Sequence, residues 1–164
     1  MKLLSLDTST KQTGWAIFED GKYIKCGCIN KGKIADSKER LAEMMNGIKE
    51  LFYSEKPDFC VIETQVIIRN PKTLRVLTML TGAVFFMCMA NCTMFEQLSP
   101  SEWRKIIQPT GRPRKRQELK EWSIKKCVEL FGIEVNDDEA DAVLIGEAFS
   151  RCYNAGDIKK CNYI

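Results

Sequence analysis

Acidic side chains follow two short, largely apolar runs in this sequence. Asp7 comes directly after residues 3–6, and Glu63 comes directly after residues 59–62. An unpaired buried carboxylate is costly, so each acid needs a cation, hydrogen-bond donors or water around it. For Asp7, one alternative is a turn in which its side chain accepts hydrogen bonds from the Ser/Thr cluster that comes after it.

A third group of acids lies in the segment NDDEAD at 136–141. The first turn of a helix favours acids, and Asn136 with Glu139 matches a capping box, so helix structure alone could explain the early acids. Asp141 lies one turn deeper, and apolar residues three and four positions later continue its side of the helix. Asp138 lies three residues before Asp141 and therefore on the same side.

These carboxylates together predict a site for a hard divalent cation. The chain contains no His, which excludes His-based catalysis and the usual imidazole metal sites. Cys26 and Cys28 form a C-x-C pair, but no second Cys pair completes a zinc set. An all-oxygen ligand set suits Mg²⁺ or Mn²⁺. Two such ions, about 3.5–4 Å apart, can activate water and stabilise the leaving oxygen of a phosphodiester.

A basic segment predicts a polyanionic partner. Residues 103–126 carry nine Lys or Arg against Glu118 and Glu121, a net charge of +7, which leaves the rest of the chain at −4 of the total +3. Such a segment on an otherwise acidic molecule is typical of proteins that bind polyanions. The alternative is an ordinary solvated helix face.

The elements that must position these groups have an α/β pattern. The apolar runs at 3–7 and 14–18, joined by a short connection with Gly14, predict an antiparallel hairpin. Strands followed by strand–helix alternation predict a five-stranded mixed sheet flanked by helices, and ligands gather at strand ends in such sheets. The predicted strands are 3–7, 14–18, 22–30, 59–62 and 93–98, and the predicted helices are 36–54, 70–90, 100–107, 115–131 and 136–152.

Length and composition predict one domain in the cytoplasm. The chain has 164 residues, of which 45% are hydrophobic and 29% are charged. We expect no membrane span, because the longest apolar candidate, 83–90, falls far short of the roughly 18 residues required. The N-terminus lacks the length and cleavage site of a signal peptide. Residues 153–164 give no clear structural signal.

Three motifs resemble those of RuvC-type Holliday-junction resolvases. They are LSLDTST followed by GWA at the N-terminus, VIETQ at 61–65, and DEADA at 138–142, in the family's order and near its spacing. The resemblance implies an RNase H-like fold and Mg²⁺-dependent paired nicking of four-way DNA junctions, with Mn²⁺ as a substitute. It assigns Asp7, Glu63, Asp138 and Asp141 as catalytic metal ligands, with two ions per site and Asp7 between them.

The resemblance also implies a homodimer and a DNA-binding surface. We expect the dimer contact in helix 70–90, where Leu74, Leu77, Met79 and Leu80 are more apolar than one core face needs. Leu74, Leu77, Thr78, Thr81 and Phe85 are predicted to share one face of that helix. The candidate DNA-binding residues are Arg104, Lys105, Arg112, Arg114, Lys115, Arg116 and Lys120.

Two segments depart from the family pattern. The family usually carries an aromatic residue shortly after the strand-ending Glu, where this chain has Val66, Ile67 and Ile68. This difference predicts another way of opening the junction centre. The segment 100–116, with Trp103 and a loop rich in Arg and Pro, resembles divergent or phage-encoded members more than cellular enzymes.

Two alternative functions fit parts of the sequence. The motif L-x-x-D-T-S-T also resembles the first phosphate-binding loop of actin-like ATPases, whose members include binding subunits without nuclease activity. That superfamily uses a second related domain and Gly-rich adenosine loops, for which Thr81-Gly82 is a poor substitute, and it does not explain Glu63, Asp138 and Asp141. A non-specific RNase H-like nuclease is the other alternative. We expect branched DNA as the partner and no nucleotide cofactor.

Overall fold

A five-stranded mixed sheet forms the centre of the structure. The computed structural model describes residues 1–65 and 70–156, so the sequence differences at Val66, Ile67 and Ile68 and the end of the tail lie outside it. The strands are β1 (Lys2–Asp7), β2 (Gln12–Glu19), β3 (Lys22–Asn30), β4 (Phe59–Glu63) and β5 (Met94–Leu98), and the helices are α1 (Ser37–Glu55), α2 (Pro71–Ala90), α3 (Pro100–Ile107), α4 (Arg116–Phe131) and α5 (Asp137–Asn154). The predicted α/β class and all predicted elements are confirmed, with ends shifted by a residue or two.

The sheet has the order β3-β2-β1-β4-β5. β1 is antiparallel to β2 and β2 to β3, whereas β1, β4 and β5 run parallel to one another. Leu3 of β1 packs into the apolar cluster under α3, α4 and α5, and Leu4 and Leu6 pack into the opposite cluster under α1 and α2. β1 is the middle strand of the sheet. Because helices cover both faces of the sheet, the side chains of β1 are buried on both sides.

The register of β1 and β4 brings two acids to one edge of the sheet. Leu6 pairs with Ile62, and the next residues, Asp7 and Glu63, are the last of their strands. Because the two strands are parallel, both carboxylates leave the sheet at the same end, where ligands of α/β proteins commonly bind.

Helix α5 lies close to the sheet because two glycines leave room for it. Gly146 of α5 lies against Ser5 of β1, and Gly14 of β2 lies against the backbone of Asp138, so a Cβ atom at either glycine would clash. Gly14 pairs with Asp7 across the β1–β2 ladder. The close approach therefore brings the first turn of α5 beside the strand-ending acid.

Side-chain caps begin the helices that flank the site. Ser99 and Glu102 form a capping box at α3, and Asn136 and Glu139 form one at α5. Gly132, in the left-handed conformation with φ +66°, ends α4. The capping role predicted for Glu139 at the start of α5 is thus confirmed.

Helix α2 buries a different line of residues from the face suggested by its sequence. Its buried side chains are Leu80, Val84 and Cys88, whereas Leu74 and Phe85 of the predicted face are exposed. The helix is apolar almost all round, so its periodicity does not select an inward face. Leu80 therefore belongs to the core and is unavailable for a dimer contact.

The expectation that no segment is apolar enough to span a membrane is wrong for α2. The helix has 20 residues with a mean hydropathy of 1.7, enough by length and composition alone, and only 17% of its apolar window is buried. In this fold it packs against α1 and β5. Helix α2 therefore presents a long apolar face to its surroundings.

Candidate active site

The four predicted acids, from three elements, line one cleft at the edge of the sheet together with the neighbouring Asp137. Asp7 ends β1, Glu63 ends β4, and Asp138 and Asp141 lie near the start of α5. All four border a cleft of about 1100 Å³, together with residues of the loop 109–114. The structure thus brings together all four acids singled out in the sequence.

The carboxylate of Asp7 is surrounded by other negative charges. Burial raises the pKa of Asp7 well above its ordinary value, and the carboxylates of Asp141, Glu63 and Asp138 raise it further, against a smaller lowering by Arg104. Such mutual repulsion is relieved by a shared cation. The hydrogen bonds that Ser9 and Thr13 form after β1 join these two residues to each other and not to Asp7, so they do not support the turn alternative.

Glu63 is held by a buried tryptophan. The Trp103 indole N–H donates a hydrogen bond of 2.7 Å to Glu63 Oε2, and Arg104 Nη2 lies 4.0 Å from the same oxygen. Burial raises the pKa of Glu63, while the Trp103 hydrogen bond lowers it. One oxygen of the Glu63 carboxylate therefore already accepts a hydrogen bond from within the protein.

Asp141 reaches the cleft from the inner side of α5. Its Oδ2 lies 3.8 Å from Arg104 Nη2, and its Oδ1 is buried without a hydrogen-bond partner among the described residues. Burial raises the pKa of Asp141, against lowering by the neighbouring Ser123 hydroxyl and by Arg104. A buried acceptor with no donor is uncommon in proteins and indicates a missing partner.

Asp137 and Asp138 differ in what they contact. Asp137 pairs with Lys120 of α4, which lowers the pKa of Asp137. Burial and the adjacent Asp137 charge instead raise the pKa of Asp138. Asp137 also lines the cleft, but helix structure and its ion pair account for it, whereas burial beside other acids sets the environment of Asp138.

The chemistry of these donors fits a hard divalent cation. The set offers only carboxylate oxygens, which Mg²⁺ and Mn²⁺ prefer, and it includes the orphan Asp141 Oδ1. Across residues 1–65 and 70–156, however, no three Asp, Glu, Cys or His side chains converge into a complete ligand set.

The seven candidate DNA-binding residues fall into three groups. Arg112, Arg114 and Arg116 line the same cleft as the acids. Lys105 is exposed but outside the cleft lining, and Lys115 is exposed and pairs with Glu118 at 3.2 Å. The other two face the acids directly, because Lys120 pairs with Asp137 and Arg104 lies between Glu63 and Asp141.

The contact between Trp103 and Glu63 was missed in the sequence. The two residues are separated by 40 positions and lie in different elements. The sequence of the short predicted helix 100–107 has an apolar side, which predicts that Trp103 is buried. It does not predict that Glu63 is the hydrogen-bond partner of Trp103. Arg104, a candidate DNA-binding residue, stacks on the Trp103 ring, 4.5 Å from the ring centre.

Comparisons with known proteins identify the family of this chain. The family described as crossover junction endodeoxyribonuclease RuvC matches residues 3–147. The RuvC protein of Aliarcobacter butzleri is 31% identical over 121 residues, covering 71% of this chain and 78% of the relative. That of Campylobacter curvus is 26% identical over 160 residues, covering 93% of this chain and 99% of the relative.

Solved structures support the same fold. Thermus thermophilus RuvC in complex with a Holliday junction substrate matches with a TM-score of 0.76 at 14% identity, over 95% of this chain and 96% of that one. The yeast mitochondrial Holliday junction resolvase Ydc2 matches with a TM-score of 0.59 at 19% identity, over 91% and 77% of the two chains. The predicted RNase H-like fold is therefore confirmed. On the family match and the A. butzleri relative, this chain belongs to the RuvC family of crossover junction endodeoxyribonucleases.

Proposed function

We propose that this protein is a structure-selective endodeoxyribonuclease that cuts four-way DNA junctions, and other branched DNA, by paired hydrolysis of phosphodiesters. The observation that carries the proposal is the cleft in which four acids from β1, β4 and α5 face a basic loop. The relatives are crossover junction endodeoxyribonucleases, which supports the choice of DNA substrate. Neither the actin-like ATPase nor the non-specific nuclease gains support from those relatives.

Asp7, Glu63, Asp138 and Asp141 would hold the divalent cations, with Mg²⁺ the expected ion, Mn²⁺ a substitute and two ions per site. When bound, such ions supply an activated water and stabilise the charge on the leaving oxygen. Arg112, Arg114 and Arg116 line the same cleft and would bind phosphates there. We further infer that residues 1–164 act as one nuclease domain in the cytoplasm.

The proposal is tested with a synthetic four-way junction whose strands are labelled one at a time. We expect symmetric cuts near the branch point with Mg²⁺ or Mn²⁺, no cuts with EDTA, and little cutting of a linear duplex of the same sequence. Equal cutting of the duplex would favour the non-specific nuclease. ATP binding without any DNA cutting would favour the actin-like alternative.

The basic residues at the end of the loop 109–114 and the start of α4 give a prediction about salt dependence. Reversing the charges of Arg114, Lys115 and Arg116 to Glu should weaken binding to junction and duplex DNA alike. Each lost phosphate contact should flatten the slope of log affinity against log salt by about 0.9. Binding measured over a range of salt concentrations checks this.

A triple reversal of Lys22, Lys49 and Lys56 is the matched control. All three are exposed, and Lys22 and Lys56 lie at the end of the sheet away from the acids. This control should keep the salt slope of the wild type. An unchanged slope in the loop variant would mean that its three residues are only a solvated face.

The apolar outer face of α2 supports a symmetric homodimer. Phe86 is 71% exposed, Met89 61% and Met79 54%, and open space surrounds Gly82 between them. We infer that a second copy of the same helix covers this face. The resulting two-fold dimer would match a four-way junction, which offers two equivalent scissile strands. In such a dimer, the apolar faces of the two α2 helices would bury each other.

The dimer prediction is checked by sedimentation. The wild type should sediment as a dimer at tens of micromolar, and Phe86→Glu should convert it to a monomer that nicks junctions without paired cuts. The matched control is Val128→Glu, which changes a half-exposed apolar residue of α4 and should leave the dimer intact. A wild type that stays monomeric even on junction DNA would contradict the prediction.

A further inference from the structure

Trp103 is buried directly behind the proposed metal-binding acids. Its side chain is fully buried, and its indole N–H donates to Glu63 Oε2 at 2.7 Å. The indole N–H can only donate, and a buried tryptophan generally needs one polar partner. In this fold that partner is the carboxylate that ends β4.

The surroundings of Trp103 leave its ring little freedom. α3 starts immediately after β5, with the Ser99–Glu102 capping box fixing its first turn. The Trp103 ring stacks on Trp122 of α4, with the ring centres 6.3 Å apart and the planes at 29°. On another side the Arg104 guanidinium lies 4.5 Å from the ring centre. The donor is therefore held in place by its own helix α3 and by Trp122 of α4.

The hydrogen bond from Trp103 determines which oxygen of Glu63 is left to bind a cation. Oε2 accepts the indole N–H and faces Arg104 at 4.0 Å, so Oε1 is the oxygen left without these contacts. Without the N–H, the carboxylate could rotate about its last torsion angle, since terminal carboxylate torsions are broad. A ligand oxygen that rotates binds its cation less well than one that is held.

We propose that Trp103 is a positioning residue of the active site, which holds Glu63 Oε2 through its indole N–H so that the carboxylate is preorganised for a divalent cation. The inference rests on the proposed metal-dependent function. Partners that hydrogen-bond to metal ligands typically change metal affinity or activity by about 10–100-fold when they are replaced. The same range is expected for the loss of this N–H.

The test compares Trp103→Phe with Trp15→Phe. Both remove an indole, but Trp15 belongs to β2 and packs into the cluster on the opposite face of the sheet. Mn²⁺ binding is measured by calorimetry without DNA, and junction cutting is measured over a range of Mn²⁺ concentrations. Trp103→Phe should weaken Mn²⁺ binding by about 10–100-fold, with cutting partly restored at high Mn²⁺, while Trp15→Phe stays near the wild type.

A second variant separates the N–H from the shape of the ring. Benzothienylalanine at position 103 keeps the size of tryptophan but has sulfur in place of the N–H, so it preserves packing where Phe would not. It should weaken Mn²⁺ binding as Trp103→Phe does. Binding equal to that of the wild type would overturn the positioning role, whereas a wild type that neither binds Mn²⁺ nor cuts junctions would instead overturn the proposed function.

Discussion

Replacing Asp7 with Asn is expected to abolish cleavage of a four-way junction while the protein still binds the junction. Asn keeps the shape of the side chain but removes the charge that the other three acids surround. If Asp7 helps to hold the cations, its loss would remove several kcal/mol of stabilisation of the reacting phosphate, and each 1.36 kcal/mol corresponds to about tenfold in rate. Cleavage is measured under single-turnover conditions with Mg²⁺, and binding by gel shift in EDTA.

Binding without metal should be equal or tighter in this variant. The acids of the cleft repel phosphate when no cation is present, and Asp7→Asn removes one of those charges. Asp20→Asn is the matched control, because Asp20 is an exposed acid that pairs with the N-terminal amine at 2.6 Å, away from the cleft. Substantial cutting by Asp7→Asn with Mg²⁺ would place the catalytic centre elsewhere.

The strand-ending acids could be predicted because their environment is set locally. Asp7 and Glu63 each come after a short apolar run, and two buried parallel strands bring their ends to one edge. Asp141 could be predicted because helical spacing places it on the side of α5 that faces the core. In these cases the residue pattern of a single strand or helix is enough to predict where the acid lies.

The contacts that organise the cleft could not be predicted in the same way. Trp103 and Glu63 lie 40 residues apart in different elements, and only the tertiary fold makes them neighbours. Arg104 is one of nine basic residues in its segment, and nothing local distinguishes it from those that stay in solvent. The inward face of α2 was obscured for a related reason, since a helix that is apolar all round leaves its orientation to its partners.

Asp141→Asn is expected to separate stability from activity at the same site. Burial raises the pKa of Asp141 in the folded protein, so its ionised form is less favourable there than in the unfolded chain. Above the folded pKa the charge therefore destabilises the metal-free fold, and a neutral amide removes that penalty. The amide can also donate toward the Ser123 hydroxyl, whose oxygen is buried without a hydrogen bond among the described residues.

The metal-free variant should therefore melt at the same temperature as the wild type or higher. Cutting with Mg²⁺ should fall by about a hundredfold or more, because a ligand of the cation is lost. The rise in melting temperature that Mg²⁺ or Mn²⁺ gives the wild type should disappear, since binding to the folded state no longer stabilises it. Melting curves with EDTA and with each ion, beside cleavage rates, measure all three effects.

The neighbouring acids of α5 provide matched variants for Asp141→Asn. Asp138→Asn should lose cutting and the metal-induced shift in the same way, with a smaller gain in stability because a first-turn carboxylate stabilises its helix by about 0.3–1 kcal/mol. Asp137→Asn should do the opposite: it breaks the pair with Lys120 and melts earlier, but it keeps cutting and keeps the metal-induced shift. If Asp141→Asn instead melts earlier and cuts at the wild-type rate, Asp141 is a structural partner of Arg104 and not a metal ligand, because only a structural role gives lower stability with full activity.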